Sequence, residues 1–412
     1  MKKDYIEIWV MPVHSGNNLL PSYNKIAEQL SKQFKRRVQY KVIPWNKALK
    51  MLFTAFKAGN PPDVMQIGST WIKTFAHMGY LDRVPSGFDF PKPVADWVYQ
   101  NCLDQGNRIA VPWISEASMI TARKDILDAQ NVDRQALLSL DGFLRSCDRL
   151  HTIYSDKDET ILPFVFSLRP EPGRLHFLIP FLRAFGWDLK DFNDADSLFE
   201  LAKLRPAFDY LKQLFTVSHI DKETVTLNPY VLNQQLYLSN KFVFTTGHWW
   251  KIVLQAIDKN HDKPFLEAIP MPAGEIGQAT WGGGSMLCVP PTSPYKEEAW
   301  TIVQHMISDD FMHKRVEIAG DVPAFESDFW EVYADKPQIM MLLDQVKKAR
   351  CYPQHPLWIS YESIISEGFI NLLWHYIYDN QPLDPLYDTL IRPMGEKIEE
   401  INSLAWESGS NE

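Results

Sequence analysis

The stretch DVMQIGSTWIKTFAHMG, residues 63–79, joins a short apolar run to an amphipathic run that ends in glycine. Its first six residues predict a buried strand, and the rest predicts a helix closed by Gly79. The same alternation precedes it in IEIWV (6–10), SYNKIAEQLSKQF (22–34), VQYKVI (38–43) and NKALKMLFTAFKAG (46–59), the last with Asn46 as N-cap and Gly59 at C′. This β-α-β-α-β-α order predicts a mostly parallel sheet with helices on its faces, so that ligands bind beyond the carboxyl ends of the strands.

The later chain mixes long helical patterns with a second group of strands. Residues 125–270 are mostly helical in pattern, as in SLFELAKLRPAFDYLKQLF (197–215), and the tail from residue 336 is helical again. Strand-like runs return as FVFTTG (242–247), LEAIPMP (266–272) and SMLCVPP (285–291), and an amphipathic helix follows in YKEEAWTIVQHMIS (295–308). The pattern predicts two interleaved lobes without a flexible linker.

The composition excludes several classes of protein. A net charge of −9 over 412 residues argues against nucleic-acid binding, and a helix end accounts for the basic run KQFKRR (32–37). The sequence contains no apolar run long enough to span a membrane. The four cysteines, Cys102, Cys147, Cys288 and Cys351, form no CxxC pair, so neither a metal nor a redox motif is predicted, while disulfide pairing and free burial both stay open. The first residues pass directly into a strand, which fits either a cytoplasmic protein or one whose leader has been removed.

Catalytic motifs are absent from the sequence. GGGSM (282–286) lacks both the P-loop ending and the GxGxxG spacing, and it predicts a sharp bend instead. HExxH and GxSxG do not occur, and His14 and His248 have no sequence partner nearby. The sequence therefore gives no positive support for catalysis, and it predicts neither a cofactor nor a metal.

Five segments together resemble the extracellular solute-binding proteins of ABC importers, in the sugar-binding family that includes maltose-binding protein. They occur in the family's order: AGNPPDVMQIGSTWIKTFAHMGYLDRV (58–84), AVPWISEASMITARKDIL (110–127), TTGHWW (245–250), IPMPAGEIGQATWGGGSMLCVPPTSPYKEEAWTIVQHMIS (269–308) and AGDVPAFESDF (319–329). His248 departs from the family, which has proline there.

The resemblance implies an α/β, two-lobe periplasmic-binding-protein fold with interleaved lobes joined by hinge segments. One lobe is expected at 1–112 plus 284–323, and a more helical lobe at 113–283 plus 324–412. Such a protein closes on a sugar or oligosaccharide by hinge motion and delivers it to the permease subunits of an ABC transporter. The resemblance further implies a monomer that works in the periplasm or outside the cell, with or without a lipid anchor, and whose native leader has been removed.

A sugar presents an apolar C–H face and a rim of hydroxyls, so its site needs aromatic planes surrounded by polar groups. The resemblance assigns Trp249 to the stacking position of the Gly-x-Trp turn and leaves Trp250 for the core. It also assigns Glu116 as a binding carboxylate with Trp113 near it, and Trp358 as the aromatic of a C-terminal helix. Trp281 and Gly282, Gly283 and Gly284 are expected to line the floor near the hinge.

Loop positions supply the other candidates. They are His14, Ser15, His248, Ser69, Thr70 and Trp71, with Trp45 and Trp187 as further tryptophans; ordinary loop packing is the alternative for each. Two rival functions stay open, a sensor that reports the same ligand to a receptor and a carbohydrate-active hydrolase. A polyol or a glycerol phosphodiester also remains open as ligand, and the latter would need a cation such as Arg169 or Arg174.

Overall fold

The computed structural model describes residues 4–11, 19–155, 161–169, 173, 175–189, 192, 194, 198–227, 232, 241–247, 249–258 and 266–409. Within these ranges the strands are β1 (Ile6–Val10), β2 (Val38–Val42), β3 (Val64–Gly68), β4 (Leu103–Asp104), β5 (Asn107–Arg108), β6 (Val111–Ala117), β7 (Met119–Arg123), β8 (Leu162–Val165), β9 (Phe242–Thr246), β10 (Leu266–Pro270), β11 (Gly282–Cys288) and β12 (Val322–Pro323).

The helices surround these strands along the chain. They are α1 (Leu19–Phe34), α2 (Trp45–Lys57), α3 (Ile72–His77), α4 (Asp96–Asn101), α5 (Lys124–Ala129), α6 (Leu140–Ser155), α7 (Leu175–Ala184), α8 (Leu201–Val217), α9 (Lys222–Val225), α10 (Trp249–Ile257), α11 (Lys296–Met306), α12 (Asp309–Ala319), α13 (Asp328–Val332), α14 (Pro337–Lys348), α15 (Trp358–Tyr378), α16 (Leu383–Leu386) and α17 (Arg392–Gly409). A 3₁₀ turn covers Ala136–Leu138 and a π-turn covers Tyr387–Ile391. None of the described helices has both the length and the apolar character that a membrane crossing requires.

The chain divides into two compact units, each assembled from separate segments. Unit 1 comprises Met1–Ala117, Trp249–Asp262 and Gly282–Trp358, and unit 2 comprises Ser118–His248, Lys263–Trp281 and Ile359–Glu412. The chain therefore passes from one unit to the other five times.

These units differ from the predicted lobes in four segments. Residues 113–117, 249–262, 282–283 and 324–358 belong to unit 1, whereas the sequence assigned all four to the second lobe. Packing explains the difference, because α10 contacts α12 and α14, and the indole nitrogen of Trp97 in α4 donates to the carbonyl of Val346 in α14 at 2.8 Å.

Unit 1 contains a six-stranded sheet in the order β12-β6-β11-β3-β1-β2. Strand β1 pairs in parallel with β2 and β3, whereas β11 is antiparallel to both β3 and β6. Strands β1, β2, β3 and β6 consequently run in one direction, as the predicted mostly parallel sheet requires. Every residue of β1 and β3 is buried, which is typical of parallel strands covered on both faces.

Unit 2 contains a four-stranded sheet in the order β10-β7-β9-β8. Strand β8 is parallel to β9, and β7 is antiparallel to β9 and β10. Helices α6 and α8 contact β8, and aromatic rings fill this layer, with the Phe143 ring centroid 5.0 Å from that of Phe244. The fold thus combines two α/β units of different strand arrangement.

The predicted elements of the first eighty residues are confirmed, with one correction at the start of α2. The helix begins at Trp45 after Pro44, so Asn46 is not its N-cap. Pro44 has the extended φ of −60° and ψ of 137° that suits a residue just before a helix. Gly59 and Gly79 adopt φ of 66° and 69°, the left-handed conformation predicted for glycines that close helices.

The Gly284→Ala substitution tests the close approach of β11 to β6. Gly284 has φ of 136°, and an added Cβ would lie 2.0 Å from the carbonyl oxygen of Ile114. We expect Gly284→Ala to lower the free energy of unfolding by about 2–4 kcal/mol, because strain and overlap act together. Urea denaturation followed by circular dichroism measures the change.

Gly87→Ala is the matched control, because an added Cβ at Gly87 meets no heavy atom within 4 Å. This variant should unfold within about 0.5 kcal/mol of the unsubstituted protein. Equal stability of the two variants would contradict the packing assigned to Gly284.

Candidate functional site

The carboxyl end of the unit 1 sheet collects residues predicted from loop position and residues predicted from the resemblance. Trp45 comes shortly after β2, and Ser69, Thr70 and Trp71 come directly after β3. Glu116 is the second-to-last residue of β6. Gly282 and Gly283 begin β11, which runs in the opposite direction and therefore starts at the same end. In a parallel sheet this end is the usual place for a ligand.

Trp45 and Trp71 form an aromatic corner at this end of the sheet. Their ring centroids are 5.6 Å apart and their planes meet at 65°. Both side chains are half-buried, so each keeps part of its surface exposed. A Cβ on Gly68 would lie 3.4 Å from both rings, which shows that glycine lets the corner sit directly on β3.

Glu116 lies beside a strand segment that has no side chain. In the β6–β11 pairing Glu116 is directly opposite Gly283, and its side chain is half-buried. Cross-strand neighbours normally have Cβ atoms about 4.5–5.5 Å apart. Because Gly283 has no side chain, the position beside Glu116 is left open. The Glu116 carboxylate therefore lies at the same end of the sheet as the aromatic corner.

Ser69 and Thr70 differ in what they expose. Ser69 is 2% exposed, and its backbone nitrogen donates to the carbonyl of Gly284 at 2.9 Å. Thr70 is half-buried. Ser69 thus joins β3 to β11, while Thr70 is the side chain of this pair with accessible surface.

Trp113 is a core residue, which corrects its prediction as a binding residue. It is 0% exposed, and its indole nitrogen donates to the carbonyl of Met306 at 3.0 Å. The Arg315 guanidinium lies 4.2 Å from the ring centroid, and Arg315 itself is ion-paired with buried Asp321 at 2.5 Å. A tryptophan covered in this way offers no face for a sugar.

Trp358 also has a core position in unit 1. Its ring is 1% exposed and stacks on Tyr352, with centroids 4.3 Å apart. In the preceding loop the Nδ1 atom of His355 accepts from the backbone nitrogen of Leu357 at 3.1 Å. Burial lowers the pKa of His355, and the nearby His77 lowers it further. The predicted contact of Trp358 with ligand is therefore not supported by its burial.

Unit 2 contains a second aromatic and polar cluster, formed by Trp281, His176 and Glu362. The His176 ring lies 3.9 Å from the Trp281 ring at an interplanar angle of 10°, so it covers one indole face. The His176 Nε2 atom is 3.6 Å from Glu362 Oε1. Trp281 is 5% exposed, whereas 21% of the His176 side chain is exposed, so histidine is the accessible member.

Trp187 belongs to the core of unit 2, which corrects its inclusion among the candidates. It is 2% exposed, and its indole nitrogen donates to the carbonyl of Leu198 at 2.6 Å. The Phe369 ring packs edge-on against it at 5.4 Å. All of its surface is used in packing.

Several predicted residues lie outside the described part of the chain. They are His14, Ser15, His248 and Arg174, together with the side chains of Trp249 and Trp250. Their roles stay predictions.

Sequence reasoning missed His176 and Glu362. Glu362 lies within HPLWISYES (355–363), four residues after Trp358, and points to the same cluster as a histidine from α7. No local motif joins these two residues, because the contact is made by helices far apart in sequence. A buried tryptophan often packs against another ring. A search for a ring partner of Trp281 could therefore have suggested His176.

A family model described as bacterial extracellular solute-binding protein matches residues 25–339. Two solved structures have similar folds. An ABC transporter solute-binding protein from Thermotoga lettingae, bound with alpha-D-tagatose, is 17% identical with a TM-score of 0.79, covering 97% of this chain and 100% of that chain. Maltose-bound MalE3 from T. maritima is 19% identical with a TM-score of 0.77, covering 96% and 99%. These similarities confirm the predicted two-lobe α/β fold.

One curated relative matches over a shorter range. The diacetylchitobiose binding protein DasA of Streptomyces coelicolor is 26% identical over 125 residues, which are 29% of this chain. The match spans 28% of that protein's length. The assignment to a family therefore rests on the family match, and the assignment of the fold rests on the structural similarities.

The difference between core and accessible tryptophans predicts different stabilities for two variants. Trp113→Ala should lower the free energy of unfolding by about 3–5 kcal/mol, because it empties a closed core site. Trp71→Ala should lower it by roughly 1 kcal/mol, because part of its surface is already in water. Denaturation curves of the two variants measure both values, and a Trp113→Ala variant as stable as Trp71→Ala would contradict the core position.

Proposed function

The chain belongs to the bacterial extracellular solute-binding protein family, and on this premise we propose that its solute is a sugar or an oligosaccharide. Members of this family are binding proteins that act outside the cytoplasm, so the protein is not an enzyme. The three similar proteins described above are named as binding tagatose, maltose or diacetylchitobiose. We therefore assign this chain a carbohydrate of that general kind.

The aromatic corner of Trp45 and Trp71 is the observation that carries this proposal. Two planes that meet at 65° with 5.6 Å between centroids can cover the apolar face of one pyranose and the edge of the same or the next ring. Aromatic surface of this kind suits the apolar C–H face of a sugar. Its place at the carboxyl end of parallel strands supports a ligand-binding role.

The sugar hydroxyls need hydrogen-bond partners, since each unpaired polar group in a closed site costs about 1–3 kcal/mol. Thr70 and Glu116 are half-buried side chains at the same end of the unit 1 sheet, and we assign them to this task. A carboxylate can accept from two neighbouring hydroxyls at once.

We propose two further residues as candidates for sugar contact, His176 by itself within unit 2 and Trp249 within unit 1. His176 carries accessible imidazole surface next to buried Glu362, so it can exchange hydrogen bonds with a hydroxyl in either direction. Trp249 enters from the resemblance alone, as the stacking residue of the Gly-x-Trp turn.

Ligand delivery is the second part of the proposal. Because the chain crosses between the units five times, we propose that ligand binding is coupled to a hinge motion at these crossings and that permease subunits of an ABC transporter receive the sugar. A ligand that interacts more strongly with one arrangement shifts the population toward it. Small-angle scattering with and without the sugar measures this coupling.

Substitution of the corner tests the sugar assignment. A thermal-shift screen over mono- and oligosaccharides, including tagatose, maltose and diacetylchitobiose, first identifies the ligand. Trp45→Ala and Trp71→Ala should then each weaken binding by about tenfold or more in isothermal titration, because each removes an aromatic stacking surface. Trp249→Ala should abolish binding while the circular-dichroism spectrum stays unchanged.

Trp374→Ala is the matched control, because Trp374 is also half-buried but lies in α15 of unit 2, next to Tyr378. It should keep the affinity of the unsubstituted protein. A sugar that binds Trp45→Ala and Trp71→Ala with full affinity would remove the corner from the site. A screen in which no saccharide binds would reject the sugar assignment itself.

A further inference from the structure

The segment from residue 19 to residue 59 has a charge opposite to that of the whole chain. It contains nine lysines and arginines and a single acidic residue, Glu28, in a protein of net charge −9. The cations are Lys25, Lys32, Lys35, Arg36, Arg37, Lys41, Lys47, Lys50 and Lys57. We call these nine residues the basic surface of unit 1.

None of the nine forms an ion pair within the described residues. Seven of them are exposed, and Arg36 and Lys41 are half-buried. Elsewhere in the described chain many cations are paired, as in Lys73 with Asp104 and Lys314 with Asp310. The described part of the chain therefore supplies no ion-pair partner for the positive charge of this segment.

Topology gathers this charge at one margin of the sheet. Strand β2 is the terminal strand, and β1 lies between it and β3 with all three parallel. The connection through α1 runs outward from β1 to β2, and the connection through α2 runs back to β3. Helix α1 packs against β2, and α2 begins at Trp45, three residues after the end of β2. Cations from both helices and from β2 thus border the same sheet margin.

The side chains suit a diffuse anionic surface better than a shaped anionic pocket. Seven of the nine are lysines, which act as flexible point charges, whereas bidentate recognition of carboxylates uses arginine. The two arginines are held against tyrosines, with Arg36 4.4 Å from the Tyr295 ring centroid and Arg37 5.6 Å from that of Tyr5. Bidentate hydrogen bonding of an anion by arginine is thus only a minor way in which this surface can bind.

Ordinary structural roles account for only part of the pattern. Cations on a terminal strand discourage strand-to-strand aggregation, but five of the nine lie on helices α1 and α2. Lys32 and Lys57 lie near helix carboxyl ends, where the helix dipole favours them. Lys47 lies in the first turn of α2, which has no acidic residue, so the dipole disfavours it there. Protein stability alone does not explain that position.

We propose that the basic surface of unit 1 seats the protein against the anionic phospholipid headgroups of a membrane. A solute-binding protein of net negative charge is repelled by such a membrane as a whole, and a segment of unpaired lysines reverses that repulsion locally. Each lysine near an anionic lipid surface strengthens binding by about fivefold, and four to eight of them are a typical membrane-binding cluster. The contact is electrostatic, so it weakens as salt shortens the Debye length.

The test is co-sedimentation of the full chain with two kinds of vesicle, phosphatidylcholine alone and phosphatidylcholine with about a third phosphatidylglycerol. The variant Lys32→Gln, Lys47→Gln, Lys50→Gln removes three exposed charges from α1 and α2. Its control, Lys241→Gln, Lys347→Gln, Lys397→Gln, makes the same change in net charge at three exposed lysines elsewhere, and neither set takes part in an ion pair among the described residues. Sugar binding of every variant is measured in parallel.

The unsubstituted protein should bind the phosphatidylglycerol vesicles and not the neutral ones, and added salt should release it. The α1–α2 variant should lose about fivefold in partition coefficient for each lysine that contacts the vesicle, while the control keeps its binding. Absence of binding to the anionic vesicles would overturn the proposal, as would an equal loss in both variants. Binding to soluble polyglutamate without binding to vesicles would also overturn it, and would assign the surface to an acidic protein partner.

Discussion

The insertion of β11 between β3 and β6 is the constraint on which unit 1 depends. This strand comes from residues 282–288, far along the chain, and it completes a sheet begun by the first seventy residues. Glycine makes the insertion possible, because Gly284 passes too close to Ile114 for any side chain. The buried side-chain amide of Gln66 in β3 then connects the neighbouring strands. Its oxygen accepts from the backbone nitrogen of Met11 at 2.6 Å, and its nitrogen donates to the hydroxyl of Ser285 at 2.9 Å. Without this strand the carboxyl end of the sheet would lack the floor beside Glu116.

The sequence predicted what depends on local periodicity and on sheet geometry. The alternation around 63–79 predicts β3 and α3, and the rule that ligands lie beyond the carboxyl ends of strands selects Trp45, Thr70 and Trp71 without any knowledge of their contacts. It did not predict that Trp113 is closed in by Met306 and Arg315. A tryptophan in an alternating strand can face either side of the sheet, and only the packing of distant helices decides which face is covered.

The same reasoning explains why His176 and Glu362 were not found. Each belongs to a helix whose pattern is satisfied by its apolar face, and their proximity depends on how α7 and α15 cross. Tryptophan content alone was a poor guide for a related reason. An indole fills a core as well as it covers a sugar, and the indole nitrogens of Trp97, Trp113 and Trp187 all donate to carbonyl partners inside the protein. Exposure, not residue type, separates a binding tryptophan from a packing one.

Helix α2 shows how functional demands act against local stability. Its N-cap is Pro44, which has no side-chain acceptor for the first backbone amides, and its first turn carries Lys47 instead of an acidic residue. Burial of Ala48 and Leu52 stabilises the helix in spite of these features. Its first residue, Trp45, belongs to the aromatic corner, and its outward face carries part of the basic surface. A helix start optimised for stability would have an aspartate cap and an acidic first turn, and both would place negative charge where this segment keeps an aromatic ring and unpaired lysines.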